Sequence, residues 1–327
     1  MSDGIAVIGI DHRHCYSMVQ HLVDAGAYLV GWATEGTPGT LEGWERRFPT
    51  APRRTEAELL ADPAVTVVVT AAVPSMRAAI ALRALRAGKH VLADKPGALS
   101  LGDLKMIRQA SDEYGRIWAV DFSERFEVPG VTRATALVAA GAIGRVVDVT
   151  LLAPHRLNAQ SRPDWFWDRA RNGGILADIG SHQIDQVLHF AGAREARVQL
   201  AEADCLTRPD FQDRGRIVMR AGDVTGTILV HWFTPDALPA WGDGRLFVTG
   251  TEGAIEVRKY VDPAGAPGCD HVILQNGETV ERIAASDDPL PFFADFLAAC
   301  RHGRLADPDH PYRVTELALR AQAMAEC

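Results

Sequence analysis

The chain has 327 residues, 47% of them hydrophobic, and a formal net charge of −8. That length and apolar content can build a large core and suggest two domains more than one, while the acidic balance excludes a general nucleic-acid binder, whose phosphate contacts need clustered Lys and Arg. Five scattered cysteines (Cys15, Cys205, Cys269, Cys300, Cys327) form no CxxC pair, and no basic segment precedes a long apolar run, so a reduced cytoplasmic protein without signal peptide or membrane span is expected.

Ile5 to Gly9 is a short apolar run closing on Gly, the pattern of a strand buried on both faces. A helix is predicted over Tyr16–Asp24, a strand over Tyr28–Ala33, a solvated helix face over Glu42–Arg47 and a short helix over Glu56–Leu60. The β-branched run Val65–Val69 predicts a central strand. Met76–Ala87 reads as helix, His90–Ala93 as strand, Leu101–Tyr114 as helix and Ile117–Phe122 as strand. Such alternation predicts a parallel sheet with helices on both faces and a ligand site beyond the carboxyl ends of its strands.

After about residue 125 the rhythm changes. A helix over Val131–Ala140 ends at Gly141, and strands are predicted at Val146–Leu152, Arg197–Ala203, Gly215–Met219, Thr225–Trp232, Leu246–Thr249 and Ala254–Arg258. Helices interrupt them at Ile175–Phe190 and close the chain at Arg313–Ala325. The expectation is an α/β domain over residues 1–125, then an α+β domain over 126–327 with a largely antiparallel sheet.

The turn after the first strand, Gly9-Ile10-Asp11-His12-Arg13-His14, holds the place of a GxGxxG dinucleotide loop. The first Gly is present, and Asp11 and His14 stand at the other two. The second Gly normally lets backbone approach a pyrophosphate; Asp11 puts bulk and negative charge there, against which stand His12, Arg13 and the helix N-terminus. His12-x-His14 is also a metal-ligand spacing, and both histidines equally read as ordinary polar loop residues. All three readings stay open, and no metal is assigned. At the end of the second strand, Thr34 or Glu35 takes the place of the acid that contacts the adenosine ribose; Glu35 would repel a 2′-phosphate and tilts the expectation slightly from NADP toward NAD.

Asp94-Lys95-Pro96-Gly97 directly follows a buried strand, which puts Lys95 at a carboxyl end of the sheet on a turn stiffened by Pro. Gly173-Gly174 opens a helix in which Asp178 and His182 lie four apart on one face, with Asp185 next along it. On an otherwise apolar helix such a pair is either a satisfied buried pair or a general base. His155 and Arg156, after a second-domain strand, are candidate substrate contacts, an Arg favouring a carboxylate or a hydroxyl-rich ring. Trp165-Phe166-Trp167, like Trp232 and Trp241, either lines a sugar pocket or belongs to the core.

Together these segments resemble the glucose–fructose oxidoreductase / inositol dehydrogenase (Gfo/Idh/MocA) family. Ala87-Gly88-Lys89-His90-Val91-Leu92-Ala93-Asp94-Lys95-Pro96 looks like its AGKHV…EKP segment, Gly141-Ala142-Ile143-Gly144-Arg145 like its GxIG turn, and Gly173-Gly174…Asp178…His182 like its GGxxxDxxxH helix. The likeness runs in order over most of the chain and departs from the family in Asp94, where Glu is usual, and in the glycine loop. It implies a Rossmann domain followed by an open-faced sheet domain, NAD(P)-linked oxidation or reduction of a sugar, cyclitol or related polyol, and a homodimer or homotetramer through the second sheet. It further implies that Lys95 hydrogen-bonds the reacting hydroxyl, His182 takes its proton and Asp178 orients the substrate or His182. Gly9, Asp11, His12, His14, Thr34, Glu35, Ala71, Ala72, Val73, Pro74, Asp94 and Lys95 would line the cofactor, with Ser123 to Phe126 near the nicotinamide. Arg125, His155, Arg156 and Trp165 would join Lys95, Asp178 and His182 at the substrate. Two alternatives stand beside this reading: a metal-dependent hydrolase using His12, His14, Asp178 and His182, which needs an eightfold strand–helix rhythm, and a non-catalytic binding protein on the same fold.

Overall fold

The computed structural model describes residues 3–326; Cys327 lies outside them. The chain divides into two compact units, one comprising residues up to 121 with the segments 163–173 and 291–315, the other comprising 122–162, 174–290 and the residues from 316 on.

In chain order the elements begin with β1 (Gly4–Ile8), α1 (His14–Asp24), β2 (Tyr28–Ala33), α2 (Leu41–Arg47) and α3 (Glu56–Ala61). They continue with β3 (Val67–Thr70), α4 (Pro74–Arg86), β4 (His90–Asp94), α5 (Leu101–Tyr114) and β5 (Trp118–Asp121). Every residue of β1, β3, β4 and β5 is buried, as strands covered by helices on both faces must be. They form a parallel five-stranded sheet in the order β2-β1-β3-β4-β5. The order reverses beside β1, so the turns after β1 and β3 flank the switch point where such sheets bind ligands. Gly9, just past β1, has φ +82°, and a Cβ there would stand 2.4 Å from Cβ of Ala72 in the turn after β3, so the two turns touch only because this residue is glycine.

The chain goes on through α6 (Ser123–Phe126), α7 (Pro129–Ala139), β6 (Val146–Pro154), α8 (Asp164–Trp167), α9 (Arg169–Asn172) and α10 (Ile175–Ala191). Then come β7 (Ala196–Asp204), β8 (Arg214–Ala221), β9 (Val224–His231), β10 (Arg245–Gly250), β11 (Gly253–Arg258), β12 (His271–Asn276), β13 (Val280–Ala284), α11 (Phe292–His302) and α12 (His310–Met324). The second unit is built on a sheet ordered β13-β12-β11-β10-β6-β9-β8-β7. Its pairs are antiparallel except β6 with β9. Side chains alternate along these strands: Val149, Leu151, Ile217, Ile228, Leu246 and Val248 are fully buried, while Thr150, Leu152, Thr227, Leu229 and Phe247 face outward, half-exposed. The buried helix α10 lies on β6, β8 and β9. Its approach is close enough that a Cβ on Gly226 would stand 2.6 Å from a Val187 methyl.

A parallel Rossmann sheet followed by a mostly antiparallel sheet is the fold class the sequence implies. Several details differ. The strand read at Val65–Val69 runs from Val67 to Thr70, and α1 starts at His14, which therefore sits on the helix. β12, β13 and α11 are additions. The eightfold barrel required by the hydrolase alternative is absent among the described residues, whose parallel sheet has five strands. No described helix is long and apolar enough to cross a membrane.

Candidate active site

In the first unit, candidate residues gather around the last residue of β4. Asp94 is fully buried and Lys95, after it, is 5% exposed. Arg77, on the inner side of α4 and 1% exposed, fixes this corner. Its Nη2 donates to Asp94 Oδ2 at 2.8 Å and its Nε to the Ala72 carbonyl at 2.8 Å. Its Nη1 donates to the carbonyls of Lys95 and Pro96, across the cis peptide bond joining those two residues. One guanidinium thus ties the turn after β3 to the turn that carries Lys95, with the five-donor fork that only Arg provides.

The altered glycine loop folds onto the same carboxylate. His12 Nδ1 lies 2.8 Å from Asp94 Oδ2 and His14 Nδ1 2.8 Å from Asp94 Oδ1, with the two imidazole rings 4.2 Å apart. His12 N donates to the Ala71 carbonyl at 2.8 Å. Burial opposes the charge of Asp94, but Arg77, His14 and His12 outweigh it and hold the carboxyl well below the usual range. Burial first, then His14, pushes His12 down to about 3 against the pull of Asp94, so at neutral pH it is an uncharged imidazole donating Nδ1–H. Burial lifts the Asp11 carboxyl, while a backbone hydrogen bond from Val73 and the charge of Arg77 oppose it. Ligand atoms of His12, His14 and Asp94 come within 4.8 Å of one another, near enough for a metal to be weighed. Two imidazole N–H groups and Arg77 already engage the carboxylate, so the cluster is satisfied as a hydrogen-bonded charge network.

Around this corner stand Ala71, Ala72 and Pro74, all buried, and Trp165, whose ring lies edge-on 6.4 Å from that of His12. Thr34 follows β2 with its Oγ1 buried and without a hydrogen-bond partner among the described residues, whereas Glu35 is exposed.

In the second unit, α10 carries half-buried Asp178 and buried His182 one turn apart. Asp185, further along α10, takes both arms of Arg125 at 2.6 Å each. Arg125, expected at the substrate, is thereby engaged by Asp185. Glu124, beside it, belongs to the stretch Ser123 to Phe126 expected near the nicotinamide. It is 3% exposed, pairs with Lys259 Nζ at 3.1 Å and lies 3.6 Å from His155 Nε2. Burial raises its pKa, but Lys259, His182 and His155 together hold it well below the usual carboxylate range. The His155 ring lies 4.5 Å from Trp241 and 5.4 Å from Trp232. Arg156 donates to the carbonyls of Pro235, Asp236 and Leu238, and so braces that loop.

The structure therefore brings Gly9, Asp11, His12, His14, Ala71, Ala72, Pro74, Asp94, Lys95 and Trp165 to one region of the first unit, with Thr34 at the end of the neighbouring strand. Arg125, His155, Asp178 and His182 lie in the second. Arg77 and Lys259 escape sequence reading, and Glu124 enters it only within the stretch Ser123 to Phe126.

Comparison with known proteins bears on both units. Residues 37–122 match a family model described as an oxidoreductase family with an NAD-binding Rossmann fold, and residues 131–256 match the GFO/IDH/MocA C-terminal domain. A crystal structure from Erwinia carotovora atroseptica SCRI1043, described only as an oxidoreductase, is 38% identical, covers 99% of both chains and superposes with a TM-score of 0.95. Myo-inositol 2-dehydrogenase of Thermotoga maritima is 26% identical over 61% of this chain and 56% of its own. A levoglucosan dehydrogenase solved with NADH and levoglucosan shares the fold, with a TM-score of 0.81 at 20% identity over 100% of this chain and 98% of its own. The chain spans about half the length of the curated relatives it matches, from 43% to 63% for four of them.

Proposed function

The chain belongs to the Gfo/Idh/MocA oxidoreductase family, and we propose that it transfers a hydride between a nicotinamide dinucleotide, NAD or NADP, and a hydroxyl or carbonyl carbon of a sugar, cyclitol or related polyol. The observation that carries this reading is Lys95, an ammonium 5% exposed at the carboxyl end of β4 and anchored through its own carbonyl by Arg77. That end of a doubly wound sheet is where such folds place their ligands.

The first unit suits a dinucleotide despite its altered loop. The side chains that replace the second half of the glycine pattern, His12 and His14, are drawn onto Asp94, and the buried Thr34 hydroxyl is an unused hydrogen-bonding group where the adenosine ribose would lie. Gly9, Asp11, His12, His14, Thr34, Glu35, Ala71, Ala72, Pro74 and Asp94 would hold the cofactor. When bound, it supplies the acceptor or donor of the hydride. Lys95 donates a hydrogen bond to the reacting oxygen and stabilises the negative charge that develops there. His182 takes the hydroxyl proton in oxidation and returns it in reduction. Asp178 orients the substrate or that imidazole, and His155, Arg156, Arg125 and Trp165 border the substrate. Most of the acceleration then comes from positioning. A homo-oligomer assembled through the second sheet completes the reading.

Lys95→Ala tests it. With a polyol panel and either oxidised nucleotide, the variant is expected to lose turnover by about a hundredfold or more, the usual scale for deleting a charge-stabilising donor, while binding nucleotide as before. Equal turnover in both proteins would remove Lys95 from the chemistry.

A further inference from the structure

The end of β2 carries information about which dinucleotide fits, an inference that rests on the dinucleotide reading above. In doubly wound sheets an acid at this position accepts from the 2′-hydroxyl of the adenosine ribose, whereas a nearby Arg accommodates a 2′-phosphate. Here the first residue past β2 is Thr34, a hydroxyl whose buried oxygen has no partner among the described residues. The acid that follows, Glu35, is exposed, and its charge acts on Arg83.

A cation reaches the same place from the segment between α2 and α3. Arg53 forms a backbone bridge with Trp32 of β2. Its guanidinium lies 5.2 Å above the Trp32 ring and points Nη2 toward the Thr34 carbonyl at 3.4 Å. The indole beneath it is itself pinned, with Nε1 donating to the Ala51 carbonyl at 3.1 Å. The adjacent Arg54 is neutralised by Asp62 at 2.7 Å. Arg53 has no carboxylate partner among the described residues, and it is exposed. A guanidinium stacked on an aromatic platform, with its fork directed past a free hydroxyl, is pre-organised for a phosphate monoester.

We infer that the protein takes NADP(H) in preference to NAD(H), with Arg53 and Thr34 holding the 2′-phosphate of the adenosine ribose. The slight tilt toward NAD suggested by Glu35 gives way to a guanidinium that lies nineteen residues further along the chain than Thr34.

Calorimetric titration of the full chain with NADPH, NADH and 2′,5′-ADP decides the matter. NADPH is expected to bind roughly 10- to 100-fold more tightly than NADH, the worth of one hydrogen-bonded charge contact, and 2′,5′-ADP should compete with it. Arg53→Ala should weaken NADPH and 2′,5′-ADP by most of that factor and leave NADH unchanged, Arg53→Lys should restore part of it, and Thr34→Asp should favour NADH. NADH binding as tightly as NADPH, or an Arg53→Ala variant weakened equally for both, overturns the inference and leaves the dinucleotide reading intact. Binding of neither nucleotide overturns both.

Discussion

Asp94 is the residue on which the first unit's candidate site turns, since three donors from two segments, the turn carrying His12 and His14 and the helix α4 carrying Arg77, converge on its two oxygens. A shorter acid than the family's usual Glu is met here by two imidazoles that reach back to it. The arrangement has a pH signature. His12 titrates near 3 in the folded chain against an ordinary value of 6.5. Unfolding therefore takes up a proton anywhere between those limits, so this residue's contribution to stability is full above about pH 6.5 and is lost as pH falls toward 3. Denaturant midpoints measured across that window should fall with acidity, and His12→Asn should flatten the slope; an unchanged slope would mean that the half-buried His12 ring does not stay neutral in the folded chain. Glu124 and Lys259 give a second test. Both are almost wholly buried, so Glu124→Gln, which leaves the ammonium without its counter-charge, should cost about 3–5 kcal/mol. Replacing both partners by Leu and Met should recover most of that loss in thermal unfolding. Lys95, Asp178 and His182 are legible in sequence because each sits in a short local motif. The Glu124–Lys259 ion pair is not, because its partners lie 135 residues apart and no local pattern announces it.

Elements were readable in proportion to how far local chemistry specifies them. The Val-rich β3 and the Ala-rich α4 follow from composition, since burial on both faces selects β-branched runs. The start of α3 is fixed by a capping box in which Thr55 and Glu58 satisfy one another's backbone donors, a signal present in the letters themselves. Thr55→Ala should lower stability by about 1 kcal/mol, read as a shift in the unfolding midpoint; no shift would mean that the box is already frayed. β13 escapes notice because it is an edge strand with mostly exposed side chains, and such strands carry charge in place of apolar alternation. β12 precedes it with the weak alternation of a strand near the sheet's end. The aromatic start of α11, with Phe292, Phe293 and Phe296, lacks a side-chain cap at Pro291, so nothing marks where the helix opens.

At the scale of the whole molecule, the segments 163–173 and 291–315 return to the first unit, and only tertiary packing reveals it. The two-unit plan itself was visible in the change from strand–helix alternation to successive strands. The outer face of the second sheet is less polar than a solvated face should be. Leu152 pairs across to Leu229, and Thr150 to Phe247 and Thr227, all half-exposed. Sheets with one wet face normally alternate apolar with polar, so a second copy of the chain is the proposed cover. Phe247→Asp should shift the mass measured by light scattering toward the single chain, and an unchanged mass would place the interface elsewhere. The nicotinamide reading itself is tested most directly by titrating the protein's intrinsic fluorescence with NADPH and NADH. A saturable response to at least one of them is predicted, and Lys95→Ala should retain it. A folded chain that responds to neither would contradict it.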